Sequence, residues 1–133
     1  MSTISLTLDE IFDLAKKTLL ANGCDDETAS ILSDLIRNAE RDGSVSHGLF
    51  RLPAYISGLK SGKINGKGKP EVKKISPSVI KVQGNNSLAP VVLSKGLPEL
   101  SKAAKENGVA VLAINNSHHM AAMWPETEKL AED

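Results

Sequence analysis

Apolar and polar positions follow a helical rhythm as far as Gly62, then give way to short strand-like runs separated by further helical stretches. Thr7, followed three residues later by Glu10, forms a capping box. Leu8, Ile11, Leu14, Ala15 and Leu19 then recur at helical spacing up to Asn22-Gly23. A helix is predicted over 8–21. Asp25 can cap a second helix whose stripe of Ala29, Leu32, Leu35, Ile36 and Ala39 runs out near Arg41-Asp42-Gly43, and the two should pair as a hairpin. A third helical pattern follows Ser46 with Leu49, Leu52, Ile56 and Leu59. It yields to the glycine- and lysine-rich stretch 62–70, which reads as a solvated loop.

Beyond that loop, 71–75 and 79–82 alternate as strands do, around Ser76-Pro77-Ser78 and closed by Gly84-Asn85-Asn86-Ser87, so a short hairpin is predicted. Pro90 suits the first turn of a helix carrying Val91, Val92, Leu93, Leu97, Leu100, Ala103 and Ala104. Pro98 should kink or split it, and Asn107-Gly108 ends it. The apolar run 109–114 reads as a strand buried on both faces. From about Met120 the pattern is helical again and stops at Asp133 without a Gly, Asn or Pro signal, so the end reads as a cut. The fold class expected is α+β, with helices over 1–70 and the start of a sheet domain over 71–133.

Sixteen Lys and Arg balance sixteen Asp and Glu, with neither sign in a block, so the chain shows no electrostatic footprint for nucleic acid or an anionic membrane. Cys24 is the single cysteine, which leaves no intramolecular disulfide or cysteine-based zinc site and suits a reducing, cytoplasmic setting. No apolar stretch approaches the roughly 20 residues a bilayer requires.

If 47–55 is helical, His47, Arg51 and Tyr55 are successive i,i+4 neighbours on one face, while Leu49, Leu52, Ile56 and Leu59 fall on another. An imidazole, a guanidinium and a phenol in one cleft suit reduction of a carbonyl or imine beside a carboxylate. Histidine can donate the proton, arginine can pair the acid bidentately, and tyrosine can donate or accept. Ser46 can orient the imidazole or merely cap the helix, and a simply solvated polar face is the competing reading. Gly48 and Pro53 weaken the helix on which the shared face depends. A second polar knot, Asn115-Asn116-Ser117-His118-His119, follows the apolar run at a place where α/β folds put ligands, although an ordinary turn has the same composition. No metal site is expected, since His118 and His119 diverge and no carboxylate sits at a ligand-like offset from His47.

The pattern Asp42-Gly43-x-x-Ser46-His47-Gly48-x-x-Arg51-x-Pro53-x-Tyr55, then Leu59-x-x-Gly62-x-x-Asn65 and Pro70, resembles the opening signature of the type-2 malate/L-lactate dehydrogenase family. A second similar block runs from Gly108 through Asn116-Ser117-His118-His119-Met120-Ala121-Ala122-Met123-Trp124-Pro125-Glu126, so the resemblance covers almost the whole chain. It implies an NAD(P)-dependent oxidoreductase with His47 as proton donor, Ser46 supporting it, and Arg51 and Tyr55 in substrate and cofactor contact. It also implies that His119 lies near the nicotinamide or is itself the acid, and that Met120, Ala121, Ala122 and Met123 line the cofactor.

The stretch from His119 to Glu126 looks more like the branch that reduces the cyclic imino acids delta-1-pyrroline-2-carboxylate and delta-1-piperideine-2-carboxylate than like the 2-hydroxy acid dehydrogenases. The resemblance further implies a homodimer and a largely antiparallel, non-Rossmann cofactor domain of which only the beginning is here, in keeping with the lack of Gly-x-Gly-x-x-Gly. Family members are much longer, so this chain alone is expected to be inactive. A non-catalytic interaction module derived from the family is the alternative of a different class.

Overall fold

The computed structural model describes residues 4–118 and 121–132. Helix α1 spans Leu8–Ala21 and α2 spans Asp26–Arg41. Both start as their sequences dictate. Thr7 Oγ1 accepts from the Glu10 amide at 3.2 Å while Glu10 Oε2 accepts from the Thr7 amide at 2.8 Å, and Asp25 Oδ1 accepts from the Thr28 amide at 2.9 Å. Ile11, Ala15 and Leu19 of α1 meet Ala29, Leu32 and Ile36 of α2 in a shared core, which is the predicted hairpin.

The third helix departs from expectation. Two 3-10 turns, Val45–His47 and Leu49–Arg51, precede α3, which spans only Leu52–Lys60. Gly48 sits between the turns at φ −85° and ψ −140°, outside helical geometry, and Pro53 occupies the first turn of α3. Proline has no amide hydrogen to donate and its ring meets the carbonyl four residues back, so a helix does not run through 53 from 46. The stretch 62–70 is likewise more than a solvated loop. Ile64 is buried in the helical core, the Gly66 carbonyl accepts from the Asp25 amide at 3.0 Å, and the Asn65 amide donates to the Asn86 carbonyl at 2.9 Å.

Strands β1 (Glu71–Ser76) and β2 (Val79–Leu88) form the predicted antiparallel hairpin. β2 continues past the expected stop at Gly84. Asn85 and Asn86 take left-handed φ of 50° and 60°, which asparagine tolerates, and the chain bulges and resumes pairing. Helix α4 (Ala89–Asn107) then crosses back to β3 (Val111–His118), which lies parallel to β2, giving the order β1-β2-β3. Pro98 does not split α4. It is on the exposed side, where the carbonyl it leaves without a donor can be hydrated.

α4 covers one face of the sheet, where Ile80 and Val82 pack with Val92, Ala103, Leu112 and Ile114. Gly96 allows this approach, since a β-carbon there would press on Leu112 and Val82. β3 is therefore not buried on both faces, as its apolar run had suggested. It lies at the end of the strand order, and Val111 and Ala113 are exposed on the side away from α4. Helix α5 spans Trp124–Glu132, starting later than the sequence pattern indicates.

Candidate functional site

At the end of α2, Gly43 at φ 71° turns the chain back, and the Ser44 amide returns to the Ala39 carbonyl at 2.8 Å. The 3-10 turns that follow are closed by His47 N to Ser44 O at 2.8 Å and Arg51 N to Gly48 O at 2.9 Å. Glu40 Oε1 accepts from the Leu49 amide at 2.7 Å and lies beneath Gly48, where any β-carbon would run into the carboxylate. This turn holds Ser46, His47 and Arg51, the first group of expected site residues.

His47 is half-buried, and its Nδ1 lies 3.0 Å from Ser46 Oγ and 3.3 Å from Ser44 Oγ. With Nδ1 held by hydroxyls, Nε2 is the nitrogen left to meet a ligand. Arg51 is half-buried and donates from Nε to the Ser46 carbonyl at 3.2 Å, so one residue touches both the imidazole and the guanidinium. Among the described residues no carboxylate forms an ion pair with Arg51, whose planar fork can accept one from a ligand.

Tyr55 lies on α3 and not on the 3-10 turns. It is 1% exposed and belongs to the helical core, and burial pushes its phenol up to about 12, against a small opposing influence of Arg51. The single helix over 47–55 on which His47, Arg51 and Tyr55 were expected to line up is not formed, because the first two lie on 3-10 turns and only the third on α3.

Of the residues expected along the cofactor, Ala121 and Ala122 are buried and Met123 is 71% exposed. His119 and Met120 lie outside the described residues. His118 closes β3 and is half-buried. Among the described residues, no three His, Cys, Asp or Glu side chains gather as a metal would require. No helix among them is long and apolar enough to cross a membrane. A groove of about 480 Å³ runs between α2, α4 and α5, past Leu35, Leu93, Leu97 and Leu130. None of the expected site residues among the described ones lines it.

Sequence reasoning missed three neighbours of His47. Ser44 is its second hydroxyl, and Glu40 fixes the turn from nine residues back, a distance no motif marks. Trp124 sets its ring edge-on to the imidazole, centroids 6.2 Å apart at 75°, and donates from Nε1 to Asp42 Oδ2 at 3.2 Å. It is the only tryptophan in the chain, which was the available signal. Asp42 in turn holds Arg41 through both oxygens, at 2.7 and 3.0 Å. Arg41 foremost, then Trp124, keeps its carboxyl below the usual carboxylate range.

Residues 6–133 match the family model for malate/L-lactate dehydrogenase. The chain is 38% identical over 130 residues to a Delta(1)-pyrroline-2-carboxylate/Delta(1)-piperideine-2-carboxylate reductase of Pseudomonas syringae pv. tomato, covering 98% of this chain and 38% of that one. The crystal structure of delta1-piperideine-2-carboxylate reductase from the same organism superposes with a TM-score of 0.93 over 98% of this chain and 39% of that one, at 38% identity. Malate dehydrogenase from Pyrococcus horikoshii superposes with a TM-score of 0.88 at 29% identity, covering 97% of this chain and 37% of that one. The chain thus spans less than two fifths of the length of the relatives it matches, and it belongs to the malate/L-lactate dehydrogenase family.

Proposed function

We propose that the protein carrying this chain is an NAD(P)H-dependent reductase of a cyclic imino acid, delta-1-pyrroline-2-carboxylate or delta-1-piperideine-2-carboxylate. The observation that carries this reading is the pairing at the 44–51 turn. An imidazole whose Nδ1 is engaged by Ser44 and Ser46 stands beside a guanidinium tethered to Ser46. Arg51 takes the substrate carboxylate as a bidentate partner, and the double bond next to that carboxylate then lies within reach of His47. His47 delivers a proton from Nε2 to the imine nitrogen, while Ser46 and Ser44 hold the ring through Nδ1. The hydride for the adjacent carbon would come from a nicotinamide, when bound.

The described part of the cofactor wall fits such a ring. Met123 offers an exposed thioether next to Trp124, itself against His47, and the small side chains of Ala121 and Ala122 leave room beside it. Tyr55 is retained with Arg51 as a substrate and cofactor contact. His119 is retained as the rival acid and Met120 as a cofactor contact.

The imine is favoured over a 2-oxo acid because the relative at 38% identity is an imino acid reductase, whereas the malate dehydrogenase stands at 29%. Reduction of a 2-oxo acid is the second reading, since both reactions need the same acid and the same carboxylate anchor. We assign 1–70 to a helical substrate and dimerisation domain and 71–133 to the first part of a non-Rossmann nicotinamide domain. The separate cores of the helices and of the sheet with α4, and the antiparallel β1, support that division. A homodimer is supported by Leu8, Leu14 and Leu20, exposed on α1, and the cytoplasmic setting rests on Cys24 being the single cysteine of the sequence.

The test is to express the full reading frame and follow NADPH or NADH oxidation with delta-1-pyrroline-2-carboxylate, pyruvate and oxaloacetate. Turnover is expected with the imine. No turnover with any of the three would favour the non-catalytic module. His47→Ala should lower kcat by about a hundredfold or more, and a mild His47→Ala beside a crippling His119→Ala would transfer the role of acid to His119.

A further inference from the structure

His47 is held at Nδ1 by two hydroxyls, but two contacts at one atom leave the ring able to swing about them. The contact that opposes this swing comes from the far end of the chain. Trp124, the first residue of α5, meets the imidazole edge-on at 6.2 Å, within the range in which aromatic pairs attract. The indole is itself tied down, since its Nε1 donates to Asp42 Oδ2 and Asp42 is clamped by Arg41 through both carboxylate oxygens. The imidazole is therefore held at Nδ1 by Ser44 and Ser46 and met edge-on by an anchored indole.

We infer that Trp124 is a positioning residue for His47, hung from the end of α2 by its bond to Asp42, so that the docking of α5 sets the aim of the imidazole. The inference rests on the proposed reductase reading, in which His47 hands a proton to the substrate. The ring matters for orientation and its N–H for anchorage, and the two can be separated. Trp124→Phe keeps an aromatic face and loses the N–H, Trp124→Leu loses both, and Asp42→Ala leaves the indole in place without its acceptor.

The experiment uses the protein expressed from its full reading frame, with delta-1-pyrroline-2-carboxylate as substrate and His47→Ala as the reference. Misplacing a reacting group by a fraction of an ångström acts on turnover more than on binding, so Trp124→Leu should lower kcat about tenfold with KM nearly unchanged. Trp124→Phe should recover most of that loss, and Asp42→Ala should lower kcat by about threefold. In proton spectra of the histidine side chains, the His47 Cε1–H resonance, identified by its loss in His47→Ala, should move in Trp124→Leu and stay near its wild-type position in Trp124→Phe. This readout does not depend on turnover.

Wild-type kcat in Trp124→Leu, a loss confined to KM, or an unmoved His47 resonance would overturn the inference while leaving the reductase reading intact. A Trp124→Phe variant as slow as Trp124→Leu would overturn the role of the ring. Full activity in His47→Ala would instead bring down the reductase reading, and this inference with it. If Trp124→Leu does not fold, the Phe and Asp42→Ala variants decide by the same two readouts.

Discussion

Gly48 shows how a single missing side chain shapes the site. The Glu40 carboxylate fills the place where a β-carbon would stand and takes the Leu49 amide, which lacks a helical partner at the start of its turn. Gly48→Ala would push Glu40 aside and break that bond, at a cost of about 1.5–3 kcal/mol for a hydrogen bond to a charged acceptor. The double-mutant cycle tests the cause. Gly48→Ala should destabilise the wild type in urea but cost much less in a Glu40→Ala background, because the group it collides with is gone. Equal costs in both backgrounds would show that backbone conformation, and not the carboxylate, demands glycine.

Elements depend on how closely their backbones approach. At the bulge, Gly84 lies against β3 so tightly that a β-carbon would stand 2.6 Å from the Asn116 carbonyl oxygen and 3.1 Å from that of Asn115. Backbone cannot step aside as a side chain can, so Gly84→Ala should part β2 from β3 there, at about 1–3 kcal/mol. Hydrogen exchange checks it locally: β3 amides should lose protection while those of α1 and α2 keep theirs, and unchanged β3 protection would mean the strands absorb the methyl. This bulge also marks how far the sequence could be read. Thr7, Asp25 and Gly108 announced their helix ends because capping is a local matter. The continuation of β2 through Gly84-Asn85-Asn86 was hidden because it depends on β3, distant in the chain, whose Asn116 bulges to match at φ 51°. For the same reason His47, Ser46 and Arg51 could be grouped from their spacing, whereas the Trp124 contact required the fold, and the helix expected from 47 was overextended at its start by discounting Gly48 and Pro53.

The whole molecule is tied together by charge at the junction of its two cores. Lys69, in the segment leading to β1, reaches Asp25 at 2.7 Å and Glu27 at 3.4 Å, while Lys95 of α4 pairs with Glu27. Asn85 of β2 donates to the Lys69 carbonyl at 2.7 Å, so the start of α2, the connecting segment, the sheet and α4 meet in one network. Burial of the Asp25 carboxyl opposes its ionisation. The hydrogen bonds from Lys69 and from Thr28, together with the Lys69 charge, outweigh it and hold the group at about 2, against an ordinary 3.8. A carboxyl depressed in the folded state stabilises the fold above its unfolded value, and that contribution is lost as pH falls through the folded value. The window for Asp25 therefore runs from about 4 down to about 2. Asp25→Asn isolates this effect, since asparagine caps a helix as well as aspartate does and only the charge is removed. At pH 6 the wild type should melt above Asp25→Asn. The gap should shrink below pH 4 and close only below about pH 2, where the Asp25 carboxyl too is protonated in the folded protein. A gap that stays constant across that range would show that Lys69 and Asp25 do not hold the two cores together by charge.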